Sequence, residues 1–559
     1  MVLKRTLLVG LDAACWEYLN PLIEAGKMPV LQGLMEKGSW GVMHTTMPAW
    51  TPAAWSSIAT GKNPGKHGVY DMTWRKPGSY EFQPVTSQNR SGRPFWQLLN
   101  EAGLRVGLVN IPFLYPITPL DGFAVSGFGT PASAKNLIYP QEAVAELEQR
   151  FGPYEPVISA ELIKNSTPAD ILRVEAEHQA RQVDMALWLA QRYPVDVLAI
   201  NLMLPDHANH KMPEMSLVEE ALCRSDRDLG RLLDGFQPQH VLLVSDHGSS
   251  RLKGEFLLDA WLRDQGYYQP RRRTPREAAG ALNWALVQWL QVKKGRSGML
   301  EKLTRRVLKS FLLHAPSAFS NGLWARLEQD LPFVRDFVWF TDEPDFERTQ
   351  VFPGSVHSGL LYLNLKGREP SGVVDEAERE QLLEELVTRL ESLKDPHTGA
   401  PLFTKVYRAS ELYSGTRTDS APDLIIDSFS SAWNIRLSSY TPVPEKMEHR
   451  YFVSSRVDYG WHSRDGIFVF AGENIEAGHD EGSAHVTDIP ATLLYLCGVP
   501  VPEDYDGRVM LDVIRQDYRE AHPVQHQPGE TGETASYDSF YTPQEKEELA
   551  NHLRALGYF

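Results

Sequence analysis

Short apolar runs alternate with helix-patterned stretches through the first 250 residues, and no other feature constrains the fold of this chain as tightly. Residues 6–11, 39–44, 105–110, 195–202 and 240–245 read as strands. Among and between them, residues 29–37, 52–60, 95–102 and 167–193 carry helical spacing. The last of these has Thr167 as its expected cap and Pro168 in its first turn. Strands separated by helices cannot be joined by tight hairpins. They form a mostly parallel sheet whose connections cover both faces. The expected fold class is therefore α/β, a mostly parallel central sheet sandwiched by helices.

The pattern is interrupted once. Residues 252–345 are rich in Lys, Arg, Trp and Leu and read as a helical insertion. Core patterning returns at 359–365 and continues through a helix at 376–393, strands at 402–407, 423–427 and 466–471, and a helix at 489–497. Residues 515–539 are polar and read as a loose linker, and 542–556 as a closing amphipathic helix. This divides the chain into a first core part (1–251), the insertion or cap (252–345), a second core part (346–514), and a linker with a terminal helix (515–559). The basic and aromatic stretch 305–313 suits a solvated cap over the active site better than peripheral contact with a membrane.

Bulk properties exclude some classes. The 559 residues carry a formal net charge of -16, which disfavours general nucleic-acid binding. The apolar stretch after Lys4 and Arg5 is broken by Asp12, too soon for a signal peptide, and no run approaches the roughly 18 apolar residues of a membrane span. Three scattered cysteines give neither a disulfide framework nor a metal spacing. A cytoplasmic protein is the expectation.

The chemistry-bearing residues cluster at strand ends. Asp12 follows the first strand, Asp206 and His210 follow the strand at 195–202, and Asp246 and His247 follow 240–245. Ligands of open α/β sheets collect at the carboxyl ends of strands. His462 precedes the strand at 466–471 and must arrive from a loop. Three carboxylates and three imidazoles could make two sites of mixed oxygen and nitrogen ligands, suited to zinc and, as a second choice, manganese. Asp206 and His210 stand four apart, on one face of a helical turn. Thr51, immediately before Pro52, reads as an N-cap. A hydroxyl there sits beside free N–H groups and a positive dipole end, which favour an alkoxide and a bound phosphoryl group.

These pieces in this order resemble the alkaline phosphatase superfamily, in its type I phosphodiesterase/nucleotide pyrophosphatase branch. The residues carrying the likeness are Gly10-Leu-Asp12, Thr51 with Thr60-Gly-Lys-Asn-Pro-Gly-Lys-His67-Gly, Asp206-His-Ala-Asn-His210, Ser245-Asp-His247-Gly and Gly460-Trp-His462. Asp488-Ile-Pro-Ala-Thr-Leu-Leu and the final Leu553-Arg-Ala-Leu-Gly-Tyr-Phe look like bacterial members of that branch. The resemblance implies two divalent ions. One would be held by Asp12, Thr51, Asp246 and His247, the other by Asp206, His210 and His462. It also implies attack by Thr51 on a small-molecule phosphate ester and a phospho-threonine intermediate that water hydrolyses. Of the remaining residues, His67 is expected to position the loop after the Thr51 helix, His207 to be a bystander and Asp488 to cap a helix. Asn110 and Lys62 are candidate substrate-binding residues.

The chain departs from the branch in one respect. The Asn common a few residues after the His-Gly pair is missing from His67-Gly-Val-Tyr-Asp71-Met72. A sulfatase would need Cys/Ser-x-Pro-x-Arg, which Thr51-Pro-Ala-Ala-Trp55 cannot supply. No motif supplies the Arg with which phosphomonoesterases grip two phosphate oxygens, so a diester is the better expected substrate. A phosphomonoesterase or phosphomutase of the same superfamily, or a non-catalytic binding protein, stands as the alternative.

Overall fold

The computed structural model describes residues 5–272, 274, 340–354, 357, 359–431, 433–437, 451–454, 460–530 and 541–556. These fall into two compact units. The first comprises the described residues of 1–253, 403–434 and 455–559; the second comprises those of 254–402 and 435–454.

The first unit is built on a nine-stranded sheet. Its strands are β1 (Thr6–Leu11), β2 (Gly38–His44), β3 (Val106–Val109), β4 (Gly122–Val125), β5 (Ile138–Tyr139), β6 (Val197–Leu202) and β7 (His240–Val244). A short strand, β8 (Gly248–Arg251), follows β7 and pairs outside the sheet with β9 (Gly460–Ser463). The last two sheet strands are β10 (Asp465–Gly472) and β11 (His479–His485). The order is β11-β2-β10-β7-β1-β6-β3-β4-β5. β7, β1, β6, β3 and β4 run parallel, and β10 runs antiparallel to β7.

The helices that matter here are α1 (Thr51–Thr60), α2 (Pro168–Arg192), α3 (Leu204–Lys211), α4 (Met215–Phe236), α5 (Asp488–Leu496) and α6 (Pro543–Leu556). Side chains alternate across each strand. Leu8, Leu242 and Phe468 thus share one apolar core with Trp55 and Ile58 of α1 and Ile489 and Leu493 of α5. α2 and α4 pack against each other, with buried apolar residues on both. Every residue of β1, β6 and β7 is buried, as expected of central parallel strands.

In the second unit, Gly254–Leu257 pairs antiparallel with Phe452–Ser454, and Val351–Pro353 with Leu360–Leu363. The helix Arg379–Glu391 buries Leu382, Leu383, Leu386 and Leu390 along one face. This unit takes in residues 346–402, which sequence patterning groups with the second core part. Most of the expected insertion at 252–345, including the stretch 305–313, lies outside the described residues.

The expected linker at 515–539 is more structured than its composition suggests. Its described part contains the helix Gln516–Ala521, and Tyr495 Oη donates to the His522 carbonyl at 2.6 Å. Residues 531–539 lie outside the described residues. Asp488 is the first residue of α5 rather than its cap. Its carboxylate accepts from the backbone amides of His485 and Arg508 instead.

Candidate metal centre

β7, β1 and β6 are adjacent and parallel, so their carboxyl ends open at one edge of the sheet. Neighbouring strands are about 4.8 Å apart, so residues just beyond the three ends converge within roughly 10 Å. Asp246 and His247 leave β7, Asp12 leaves β1, and Asp206 and His210 follow β6 on α3. Ala13 takes a positive φ of 60° directly after Asp12, and its carbonyl accepts from Ser249 Oγ at 2.6 Å. The strained turn ends β1 abruptly and is held by the chain next to His247.

His462 reaches the same place by a different route. β10 is antiparallel to β7, so its start lies where its neighbours end. The residues just before it form β9, which pairs with β8, with Ser249 opposite His462. The residue expected on a loop is therefore fixed by a strand ladder. Its ring stacks on that of His247 with centroids 3.8 Å apart. Trp50 meets the His462 ring edge-on, and Trp461 meets that of His210.

All six expected Asp and His ligands are buried, and Thr51 is fully so. They form two overlapping groups. In the first, His247 Nε2 lies 3.4 Å from Asp246 Oδ2, 3.7 Å from Asp12 Oδ1 and 3.1 Å from Thr51 Oγ1. In the second, Asp206 Oδ1 lies 3.4 Å from both His210 Nε2 and His462 Nε2, and the two ring nitrogens are 2.9 Å apart. The donor atoms of Asp12, Asp246 and His247 lie within 4.8 Å of one another, as do those of Asp206, His247 and His462.

The imidazole tautomers follow from their partners. His247 Nδ1 is 3.1 Å from the Gly248 carbonyl and His462 Nδ1 is 2.7 Å from the Ala49 carbonyl. A carbonyl only accepts, so each Nδ1 carries the proton and each Nε2 turns a lone pair into the site. Asp12 Oδ1 and both oxygens of Asp246 are buried yet make no hydrogen bond. Lone pairs and carboxylate oxygens converging without donors are a poor arrangement for anything but a cation.

The electrostatics agree. Burial, then the neighbouring Asp246 and Asp206 charges, push Asp12 well above the usual carboxylate range. Burial, then Asp206, push Asp246 up to about 8. Burial works against the charge of Asp206 too, but His210 and then His462 hold it well below its ordinary value. Burial, then the His462 charge, brings His247 down to about 4, and burial also lowers His462. The lowered values of His247 and His462 favour neutral rings that offer lone pairs, while the carboxylates repel one another. These donors fit transition-metal ions.

Thr51 is the first residue of α1, not its cap. Trp50 occupies the cap position with extended backbone and no side-chain cap bond. The Thr51 hydroxyl is consequently not spent on the helix and meets His247 instead. His67 does position the following segment. Its Nδ1 accepts from Val69 N at 3.1 Å and its Nε2 meets Ser57 Oγ at 3.0 Å. Asp71, in the stretch that lacks the family's Asn, turns its carboxylate to Met72 N at 2.7 Å.

The two candidate substrate residues are otherwise engaged. Lys62 lies beyond the far end of α1, about 15 Å of helix from Thr51. Its ammonium pairs with Asp504 at 2.6 Å and Glu530 at 3.2 Å, anchoring a late segment of the chain. The Asn110 amide joins strand ends: Nδ2 donates to the Asn201 carbonyl at 2.9 Å, and Oδ1 accepts from Phe128 N at 2.9 Å. His207 is no bystander either. Its Nδ1 lies 3.1 Å from the buried Glu175 carboxylate of α2. Sequence reading misses Glu175 because a carboxylate in a long helix normally faces water. The only available signal is its spacing from Gln179 and Gln182 on the same helix, all three buried.

A family model described as Type I phosphodiesterase / nucleotide pyrophosphatase matches residues 6–453. Among solved structures, human ectonucleotide pyrophosphatase / phosphodiesterase 5 is similar at 12% identity, covering 92% of this chain and 100% of that one, with a TM-score of 0.48. The murine protein of the same name, as an inactive variant in complex with AMP, is similar at 12% identity over the same shares, with a TM-score of 0.47. No curated protein matches. The chain belongs to the type I phosphodiesterase / nucleotide pyrophosphatase family, a family of metal-dependent hydrolases acting on small nucleotide and phosphate ester substrates.

Proposed function

We propose that this member of the family hydrolyses a phosphodiester or pyrophosphate bond in a small-molecule substrate through a phospho-threonine formed on Thr51. Two divalent ions, zinc before manganese, would be held by Asp12, Thr51, Asp246 and His247 and by Asp206, His210 and His462. The observation carrying this reading is the position of Thr51 Oγ1, fully buried and 3.1 Å from His247 Nε2, beside the unsatisfied oxygens of Asp246 and Asp12 Oδ1. When bound, such ions supply Lewis-acid charge that favours an alkoxide and stabilises charge on the oxygens around phosphorus.

The protein's own part begins at the start of α1. Free backbone N–H groups and the positive helix end attract the anionic phosphoryl group, beside the hydroxyl that attacks it. The Thr51 Oγ1–P bond forms as the bond from phosphorus to the leaving oxygen breaks on the opposite side, the hydroxyl proton passing to solvent and the departing oxygen taking one up. Water then cleaves the new P–O bond, its OH joining phosphorus and its proton the threonine oxygen, which releases a phosphate monoester and restores the hydroxyl. The fixed Nδ1 protons of His247 and His462 keep both Nε2 lone pairs turned inward throughout. With Lys62 committed to carboxylates, no cationic side chain singled out by sequence is left to grip a dianionic monoester. This supports a diester as substrate.

Thr51 variants test the reading. Thr51→Ala deletes a methyl group and one hydrogen bond but no helix cap, a cost of about 1–2 kcal/mol that leaves the fold intact. Turnover of an aryl phosphodiester should disappear. Thr51→Ser keeps the oxygen and loses the branch that restricts its rotamer, so activity should fall by roughly three- to thirtyfold. Acid quench of the wild type should trap on residue 51 the substrate's phosphoryl group, still carrying its second ester substituent. Substantial turnover by the Ala variant would overturn the covalent route.

A further inference from the structure

Each proposed metal group contains the same local arrangement, in segments far apart in sequence. Gly10 stands two residues before Asp12, and Gly460 two residues before His462. In extended chain, residues two apart face the same side, so each glycine leaves space beside its ligand. An asparagine fills each space. A Cβ on Gly10 would lie 2.1 Å from Asn201 Oδ1, and one on Gly460 would lie 1.7 Å from Asn209 Oδ1. Both asparagines are fully buried.

Their amide nitrogens act on the ligands. Asn201 Nδ2 donates to Asp12 Oδ2 at 2.8 Å, leaving Oδ1 turned toward His247 Nε2. Asn209 Nδ2 donates to the carbonyl of Trp461 at 3.2 Å, the peptide that leads into His462. Flipping either amide would set an oxygen against an acceptor, so the donor direction is fixed. Each Oδ1 makes no conventional hydrogen bond and rests on the glycine Cα, where a C–H···O contact is available. No larger residue than glycine permits that approach.

We propose that Asn201 and Asn209 are positioning residues that set metal affinity, one in each half of the centre. Asn201 aims the Asp12 carboxylate, and Asn209 ties His462 to the helix that carries Asp206 and His210. Both sit on the single run from β6 through α3, so that run organises the two halves together. Asn110 extends the strut through its bond to the Asn201 carbonyl.

The inference rests on the metal reading above, and zinc binding tests the two separately. Elemental analysis and competition with a chelator of known affinity should find two zinc ions on the wild type. Asn201→Ala and Asn209→Ala should keep the wild-type circular dichroism and each bind one zinc at least about tenfold more weakly, the usual consequence of losing a group that orients a ligand. Should either Ala variant fail to fold, Asn201→Leu and Asn209→Leu keep the volume and lose the donor. Gly460→Ala should also weaken zinc in the wild type but add nothing in the Asn209→Ala background, because the three nearest atoms in its way belong to Asn209. Unchanged affinity in the asparagine variants, or equal harm from Gly460→Ala in both backgrounds, would overturn the inference and leave the metal reading standing. A wild type that binds no zinc would overturn both.

Discussion

Replacing His207 by Ala should loosen α3 severely, although His207 is no expected ligand. His207 Nδ1 lies 3.1 Å from Glu175 Oε1, and both side chains are almost wholly buried. Burial opposes both charges. The Glu175 charge nonetheless raises His207 above its ordinary value, and the His207 charge, followed by His178 and His552, brings Glu175 below its own. Each partner thus favours the charged form of the other. Removing the imidazole strands a carboxylate in the interior, at a cost of about 3–5 kcal/mol. The other attachment of the helix start, Leu204 N donating to Gln179 Oε1 at 3.1 Å, is too weak to compensate. Hydrogen exchange of the amides in 204–211 reads this directly. Their protection should fall by about two to three and a half orders of magnitude. The sign with pH is fixed. Wild-type Glu175, with its value depressed, stabilises the fold above the ordinary carboxylate range and stops doing so as pH falls through its folded value. Stranded Glu175, with its value raised, favours the fold only while protonated, and that contribution is lost as pH rises. The deficit should therefore be small near pH 4 and widen toward pH 7. Adding Glu175→Gln to His207→Ala should restore part of the protection. Wild-type protection in His207→Ala, or additive losses in the double variant, would refute the ion-pair argument.

Two further outcomes come from the site and its surroundings. Lys62→Ala should leave KM for a phosphodiester unchanged while increasing proteolysis near Asp504 and Glu530, because its ammonium holds that segment and not the substrate; a raised KM with an intact segment would return Lys62 to the binding site. Zinc binding at pH 7 to chelator-treated protein should release about one proton or more, since Asp246 sits at about 8 and Asp12 is raised as well. By the same sign, these two carboxyls stabilise the metal-free fold below the ordinary carboxylate range and progressively less as pH rises toward 8. Calorimetry in buffers of different ionisation enthalpy counts the protons, and none released would mean that both carboxylates are already ionised.

The parts of the centre that were legible in the sequence are those produced by local rules. Asp12, Asp206 and Asp246 come after apolar strands of ordinary length, and parallel strands deliver the residues beyond their carboxyl ends to one edge of a sheet. The spacing of Asp206 and His210 needs only a helical turn. His462 obeys no such rule, because its place depends on β10 running against its neighbours, which no local pattern announces. Once that direction is known, a residue before the strand is where the others come after theirs. Thr51 shows the opposite case. Its local sequence described a cap that could also favour an alkoxide, and the nucleophile's role came from resemblance, yet the helix begins one residue earlier and the hydroxyl is released from capping. Asn110 was a candidate substrate contact for its place at a strand end and Lys62 as a replacement for the missing Asn, and their partners at Asp504, Glu530, Asn201 and Phe128 are brought in by the fold alone. The glycines two residues before Asp12 and His462 were visible throughout. A glycine is silent about what replaces its side chain, and only the packed structure shows that in both cases an asparagine does.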